Sequence, residues 1–123
     1  MLEIIQTAQR LGFNLILTTD HGTTNVKTAV EVVGDRESSL NLRYKTGRNL
    51  KYPSKKVMEA GDPEDYKLPR LGLNSKFIFA KEANYFVYPK NYHHYASLFQ
   101  NTYQHVGISL EEILIPFVFF RPK

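Results

Sequence analysis

The sequence predicts an α/β domain, and three observations carry that expectation. A helix-period run, a glycine and a short apolar run follow one another at the start of the chain. A second periodic run, rich in aromatics, leads through a capped turn into a closing apolar run. Between them lie short β-branched and aromatic segments punctuated by glycine, proline and asparagine. Periods of 3.6 and 2 mixed in this way belong to helices packed on sheet. Helix, glycine, then buried strand is half of an αβ unit, whose strands usually sit centrally with helices on both faces. The chain opens in the middle of that pattern. Residues 1–123 are therefore expected to be a single partial domain, the C-terminal portion of a larger α/β domain.

Taken in order, Leu2, Ile5, Ala8 and Leu11 recur three apart, with Ile4 widening the stripe, and predict a helix ended by Gly12. Asn14 to Thr19 is of strand length and is expected to be buried. Val30–Val33 and Leu40–Tyr44 read as strands across a Gly34-Asp35-Arg36 turn, and Thr46 to Asn49 as a further turn. Ser54 to Ala60 is expected to be a short helix capped by Ser54. Gly61 to Pro63 and Pro69 to Asn74 read as loop, and Phe77–Ala80 with Tyr85–Tyr88 as a hairpin pair. Asn91 is expected to cap a helix whose stripe is Tyr92, Tyr95, Ala96, Phe99 and Tyr103. Ser109 and Glu112 have capping-box spacing. Ile113 to Phe120 is expected to be a buried final strand, with Pro116 at an edge or bulge.

Composition narrows the function classes. Hydrophobic residues make up 42% of 123 and charged residues 23%, a globular balance. With no cysteine, a disulfide framework, a thiolate metal site and a cysteine nucleophile are all excluded. The longest apolar run is too short to span a bilayer, and the N-terminus lacks a signal pattern, so a cytoplasmic protein without membrane contact is expected. The net charge is +4, but it is uneven. Arg36, Arg43, Lys45, Arg48, Lys51, Lys55 and Lys56 face only Glu37, a local excess of +6 against −2 for the remainder. Such a stretch is either a solvated loop or a face for an anionic partner.

The sharpest chemical signal is Thr18-Thr19-Asp20-His21-Gly22. A strand delivers a carboxylate and an imidazole side by side at its C-terminal end, where open α/β sheets bind ligands. Oxygen and nitrogen donors together suit Zn²⁺ or Mn²⁺, whereas an isolated Asp-His-Gly more often forms an Asx turn with a surface histidine. His105 is a second candidate, at a junction after the aromatic helix. His93 and His94 are adjacent on a helix and point apart, so they cannot chelate one ion together. Glu111 and Glu112 are better read as helix-start acids than as an acid/base pair.

These strings carry a resemblance. Thr18 to Gly22 resembles the Asp-His-Gly motif of the alkaline phosphatase superfamily. His105-Val106-Gly107, followed by Ser109 to Glu112 and Ile113 to Pro116, resembles that superfamily's last histidine and strand. More closely, Gly34 to Leu50 (GDRESSLNLRYKTGRNL), Phe77 to Glu82, Asn91 to Tyr95 and Asn101 to His105 are similar to the PglZ domain of PorX-type response regulators of type IX secretion. The likeness spans Asn14 to Pro116. It implies the C-terminal part of an alkaline-phosphatase-like sheet flanked by helices, with a basic β-containing insertion. It also implies two Zn²⁺-type ions in the complete domain, one held by Asp20 and His21 and the other by His105. His105 must then converge with His21 across 83 intervening residues. The family pattern after the last histidine reads His-Gly-Gly, and here Val106 takes the first glycine's place. The family's nucleophilic Ser or Thr and its other ligands lie upstream of this stretch, as does the receiver domain. No catalytic nucleophile is therefore expected among these residues, nor catalysis from them alone.

Two functions follow. In the first, the domain hydrolyses a phosphoric ester, a phosphodiester or oligonucleotide, as the output of a two-component regulator. Arg43, Lys45, Arg48 and Lys51 would bind the anion. In the second, it is a non-catalytic effector whose basic face binds a sigma factor or secretion-motor protein, with a histidine kinase acting on the full-length protein. An exposed strand edge would favour a homodimer.

Overall fold

The computed structural model describes residues 1–34 and 41–122. Part of the strand expected over Leu40–Tyr44, most of its preceding turn, and Arg36 and Glu37 of the basic stretch lie outside the described residues. Helix α1 spans Leu2–Arg10. Gly12, at φ +73°, breaks it as the sequence implies. Strand β1 (Leu15–Thr18) follows, and pairs antiparallel with the last strand, β9 (Phe117–Phe120). Strand β2 (Thr24–Asn25) pairs antiparallel with β8 (Tyr103–Gln104). Strand β3 (Thr28–Glu31) pairs with β7 (Asn84–Val87), the parallel pair among the described residues. A three-stranded antiparallel sheet has the order β4 (Tyr44–Gly47), β6 (Lys76–Ala80), β5 (Val57–Ala60). Helix α2 is Tyr92–Phe99 and helix α3 is Leu110–Ile113. No described helix is long and apolar enough to cross a membrane.

Several expectations are corrected. Only the first part of Ser54–Ala60 is helical, a 3-10 turn at Ser54–Lys56, after which Val57–Ala60 is strand β5. Val57 and Ala60 are buried there against β6, and that pairing overrides local helix propensity. Phe77–Ala80 and Tyr85–Tyr88 do not form a hairpin. The chain at Leu42 and Arg43 runs between them instead: the Ala80 amide donates to the Arg43 carbonyl (2.9 Å) and the Phe86 amide to the Leu42 carbonyl (2.8 Å). This joins the β3–β7 pair to the three-stranded sheet. Strand β4 begins at Tyr44, so Thr46 and Gly47 are strand and not turn. Asn91 sits at the α2 start in the left-handed region (φ 58°) and makes no side-chain cap bond.

The core is also displaced from where periodicity puts it. Among the described residues thirteen hydrophobic ones are buried, all from Val26 to Val87. Each large one is worth roughly 1.5–3 kcal/mol, so the cohesion of the described fold sits in its middle. The two terminal strands are not buried. β1 alternates between half-buried and exposed, and Phe117 is 70% exposed. A two-stranded ribbon gives each strand one neighbour. Helix α1 covers part of one face, where Ile5, Ala8, Phe13, Leu15 and Phe120 surround a cavity of about 180 Å³. Yet α1 itself has no fully buried residue.

Candidate functional site

Strand β1 carries the chain past Thr18 to Asp20 and His21. The Thr18 hydroxyl donates to the Pro116 carbonyl (2.8 Å), which fastens this strand end to the entry of β9. The Gly22 amide then donates to the Glu112 carbonyl (3.0 Å). A Cβ at Gly22 would stand 2.0 Å from the Glu111 carbonyl oxygen and 2.8 Å from that of Leu114. Glycine is thus required by the close approach of α3.

His105 arrives by a different route. Thr24 pairs with Gln104 in the β2–β8 ladder, and continuing that antiparallel register sets His105 across from Thr23. The two imidazoles meet: the His21 and His105 rings stack with centroids 4.0 Å apart and planes within 6°. The two rings thus come together although 83 residues separate them in the chain. His93 and His94 are exposed on α2 and take no part.

The donors are accessible. The Asp20 side chain is 90% exposed and that of His21 41%. His21 Nδ1 lies 2.9 Å from its neighbour's carbonyl at Gly22. A carbonyl only accepts, which assigns the proton to Nδ1 and leaves the lone pair of the neutral ring on Nε2. A backbone partner of this kind orients metal-ligating histidines generally. Nε2 stands 3.6 Å from Asp20 Oδ1. Two ligands each about 2.1 Å from a tetrahedral zinc lie roughly 3.4 Å apart, so donor types and spacing fit one such ion. Parallel rings 4.0 Å apart keep their in-plane lone pairs in two separate planes, which suits neighbouring ions better than chelation of one. Among the described residues, however, no group of three or more His, Cys, Asp or Glu side chains could hold a metal ion.

The basic residues divide. Arg48, Lys51, Lys55 and Lys56 are exposed. Arg43 and Lys45 do not join them. Arg43 is 0% exposed and forks onto Glu112, Nε to Oε1 at 2.8 Å and Nη2 to Oε2 at 2.9 Å, while Nη1 donates to the Asn84 carbonyl. Its charge is committed inside the fold, which corrects its expected place on an anion-binding face. Lys45 is 1% exposed, with Nζ 4.3 Å from the Tyr88 ring centroid, beside a cavity of about 350 Å³ also lined by Leu42, Phe86, Tyr95 and Phe99. Burial pushes its ammonium down to about 8. Between there and the unfolded value of about 10.4 the unfolded chain holds a proton that the folded chain has released. Stability is therefore expected to rise with pH across that interval. Urea midpoints at both ends of it check this, and Lys45→Met should flatten the difference.

Glu112 is the residue that sequence reasoning undervalued. Its capping-box role is present, with the Ser109 amide donating to Oε2 (3.1 Å). Spacing alone could not show that it is buried and bound by an arginine 69 positions away. Val106 repeats the lesson in reverse. It holds φ 70°, a left-handed conformation that is costly for a β-branched side chain. The resemblance places a glycine there, and the backbone asks for one. Val106→Gly is expected to stabilise the chain by about 1 kcal/mol, relief of roughly 1–2 kcal/mol of strain outweighing glycine's extra unfolded entropy. A higher urea midpoint with unchanged slope checks it.

Comparison with protein families finds a match over residues 2–120 to the family described as the BREX system PglZ alkaline phosphatase-like domain. No curated protein matches the chain.

Proposed function

Because the chain belongs to the PglZ family of alkaline phosphatase-like domains, we propose that it carries the Asp-His and last-histidine part of a metal-dependent phosphoric-ester hydrolase site. The observation that carries this reading is the stacking of His21, beside Asp20, on His105, from which 83 residues separate it in the sequence. Asp20 and His21 Nε2 would hold one Zn²⁺-class ion, with Mn²⁺ an alternative, and His105 a second. Bound ions of this class supply positive charge to the oxygens around phosphorus in an in-line displacement. The chain's own contribution is orientation. Gly22 and its carbonyl aim the His21 lone pair outward, and the β2–β8 ladder brings His105 alongside. The remaining ligands and the nucleophile would come from elsewhere in the complete domain.

The substrate we infer is a phosphodiester, such as a short oligonucleotide, with the exposed Arg48 and Lys51 as its cations. A place in a PorX-type cytoplasmic response regulator of type IX secretion is part of this proposal, supported by the sequence likeness from Asn14 to Pro116. A second reading, a docking face for a sigma factor or secretion component, is favoured by the exposed cluster Arg48, Lys51, Lys55 and Lys56.

In a protein containing the whole domain, Asp20→Ala, His21→Ala and His105→Ala are each expected to lower metal affinity and phosphodiesterase activity. The loss should exceed the roughly 10–100-fold that removing an outer-shell partner costs. Metal titration alongside a chromogenic phosphodiester assay checks it. Full activity in all three variants overturns the hydrolase reading and leaves the docking surface.

A further inference from the structure

Both histidine loops are anchored to one residue. The loop after His21 gives its Gly22 amide to the Glu112 carbonyl at 3.0 Å. The loop after His105 gives the Gly107 amide to Glu112 Oε1 at 3.0 Å and the Ser109 amide to Oε2 at 3.1 Å. A Cβ on Gly107 would meet Glu112 Oε2 at 2.4 Å, so this loop lies directly against the carboxylate. The two remaining acceptor directions of that carboxylate are filled by the Arg43 fork. With four donors on about four lone-pair sites, the buried carboxylate is fully satisfied and has one orientation.

Arg43 is itself fixed from the core. Its amide donates to Asn41 Oδ1 (2.7 Å), its carbonyl accepts from Ala80 of β6, and its Nη1 reaches the Asn84 carbonyl at the start of β7. A bidentate fork transmits orientation as well as charge, which a lysine ammonium does not. A chain of short bonds thus runs from the buried sheet, through Arg43 and Glu112, to both histidine loops. Neither Arg43 nor Glu112 hydrogen-bonds or ion-pairs with an imidazole.

We propose that Arg43 and Glu112 are positioning residues whose buried ion pair sets the face-to-face register of His21 and His105. The inference adds to the hydrolase reading the device that would hold its histidines. Its test reads ring geometry and hydrogen exchange and not activity or metal binding, so the failure of one is distinguishable from the failure of the other.

The test is NMR of the chain with labelled histidine, using the histidines of the urea-unfolded chain as references. Ring protons of His21 and His105 should be shifted upfield of the references and share a cross-ring NOE. The Arg43 Nε–H should exchange slowly with water. Arg43→Lys, which keeps the buried charge but not the fork, should remove the NOE and return both rings toward the reference shifts while the amide spectrum of β3 to β7 stays dispersed. Glu112→Asp and Gly107→Ala, which retract or displace the carboxylate, should do the same. Lys76→Met disrupts the separate Tyr52–Glu59–Lys76 cluster and should leave the rings unmoved. An intact NOE with unmoved shifts in folded Arg43→Lys overturns the proposal. So does rapid exchange of Arg43 Nε–H in the unsubstituted chain, which needs no variant to fold.

Discussion

Gly22→Ala is expected to cost on the order of 3 kcal/mol, at the top of the range for forced overpacking. The reason is the identity of the obstructing atoms. The new methyl would stand 2.0 Å from the Glu111 carbonyl oxygen and 2.8 Å from that of Leu114, both backbone, and no rotamer change moves them aside. Either α3 lifts away or the loop carrying His21 does, and in both cases the Gly22–Glu112 bond is lost. Two other glycines supply the scale. Gly12 has nothing within 4 Å of its virtual Cβ but sits at φ +73°, so Gly12→Ala should cost roughly 1–2 kcal/mol of backbone strain. Gly61 meets only the Glu59 carboxylate at 3.8 Å, with no positive φ, so Gly61→Ala should be neutral or slightly stabilising. Urea midpoints of the three variants should fall in the order Gly61→Ala, Gly12→Ala, Gly22→Ala from most to least stable. A Gly22→Ala chain as stable as Gly12→Ala would remove the close-approach argument.

What a sequence makes legible depends on the range over which each physical cause acts. Helix α1, its glycine stop, the α2 stripe as far as Phe99 and the capping-box spacing of Ser109 and Glu112 are local, fixed within a turn or two, and stand in the sequence, whereas Tyr103, the expected end of that stripe, lies exposed in β8. The pairing partners of β6 and β7 are not local. Two aromatic strands separated by four residues read as a hairpin, and only the insertion of Leu42 and Arg43 between them decides otherwise. The same limit applies to the site. Asp20-His21-Gly22 is visible as a motif, whereas its meeting with His105 is implied only by the resemblance, because no spacing rule bridges 83 residues. The basic stretch misled because charge along the chain does not reveal burial. Arg43 and Lys45 occupy interior positions, one against a carboxylate and one against an aromatic ring. Burial of the terminal strands was overestimated for a matching reason. Apolar runs mark what a strand is suited to pack against, while β1 and β9, among the described residues, pair only with each other.

Removing one partner of the Arg43–Glu112 pair should be the most damaging charge change in the chain. Glu112 is 5% exposed and Arg43 0%, so either single truncation strands a buried charge, at a cost of about 3–5 kcal/mol. Glu112→Leu and Arg43→Met should each fall in that range by urea unfolding. The double variant strands no charge and should be more stable than either single one. It should not regain the stability of the unsubstituted chain, because the Gly107 and Ser109 amides lose their acceptor, about 1–3 kcal/mol for each left unsatisfied. The cycle thereby separates charge burial from loop anchoring. Acid provides an independent check. Burial raises the Glu112 carboxyl pKa, but hydrogen bonds from Arg43 and Ser109 outweigh it and hold the group below the ordinary glutamate range. A depressed folded value contributes stability above the unfolded pKa of about 4.3 and loses it as the pH falls through the folded value. The unsubstituted chain should therefore weaken progressively below pH about 4.3, and the double variant should lack that component. An identical acid limb in both would mean that this carboxylate is not what the arginine fork stabilises.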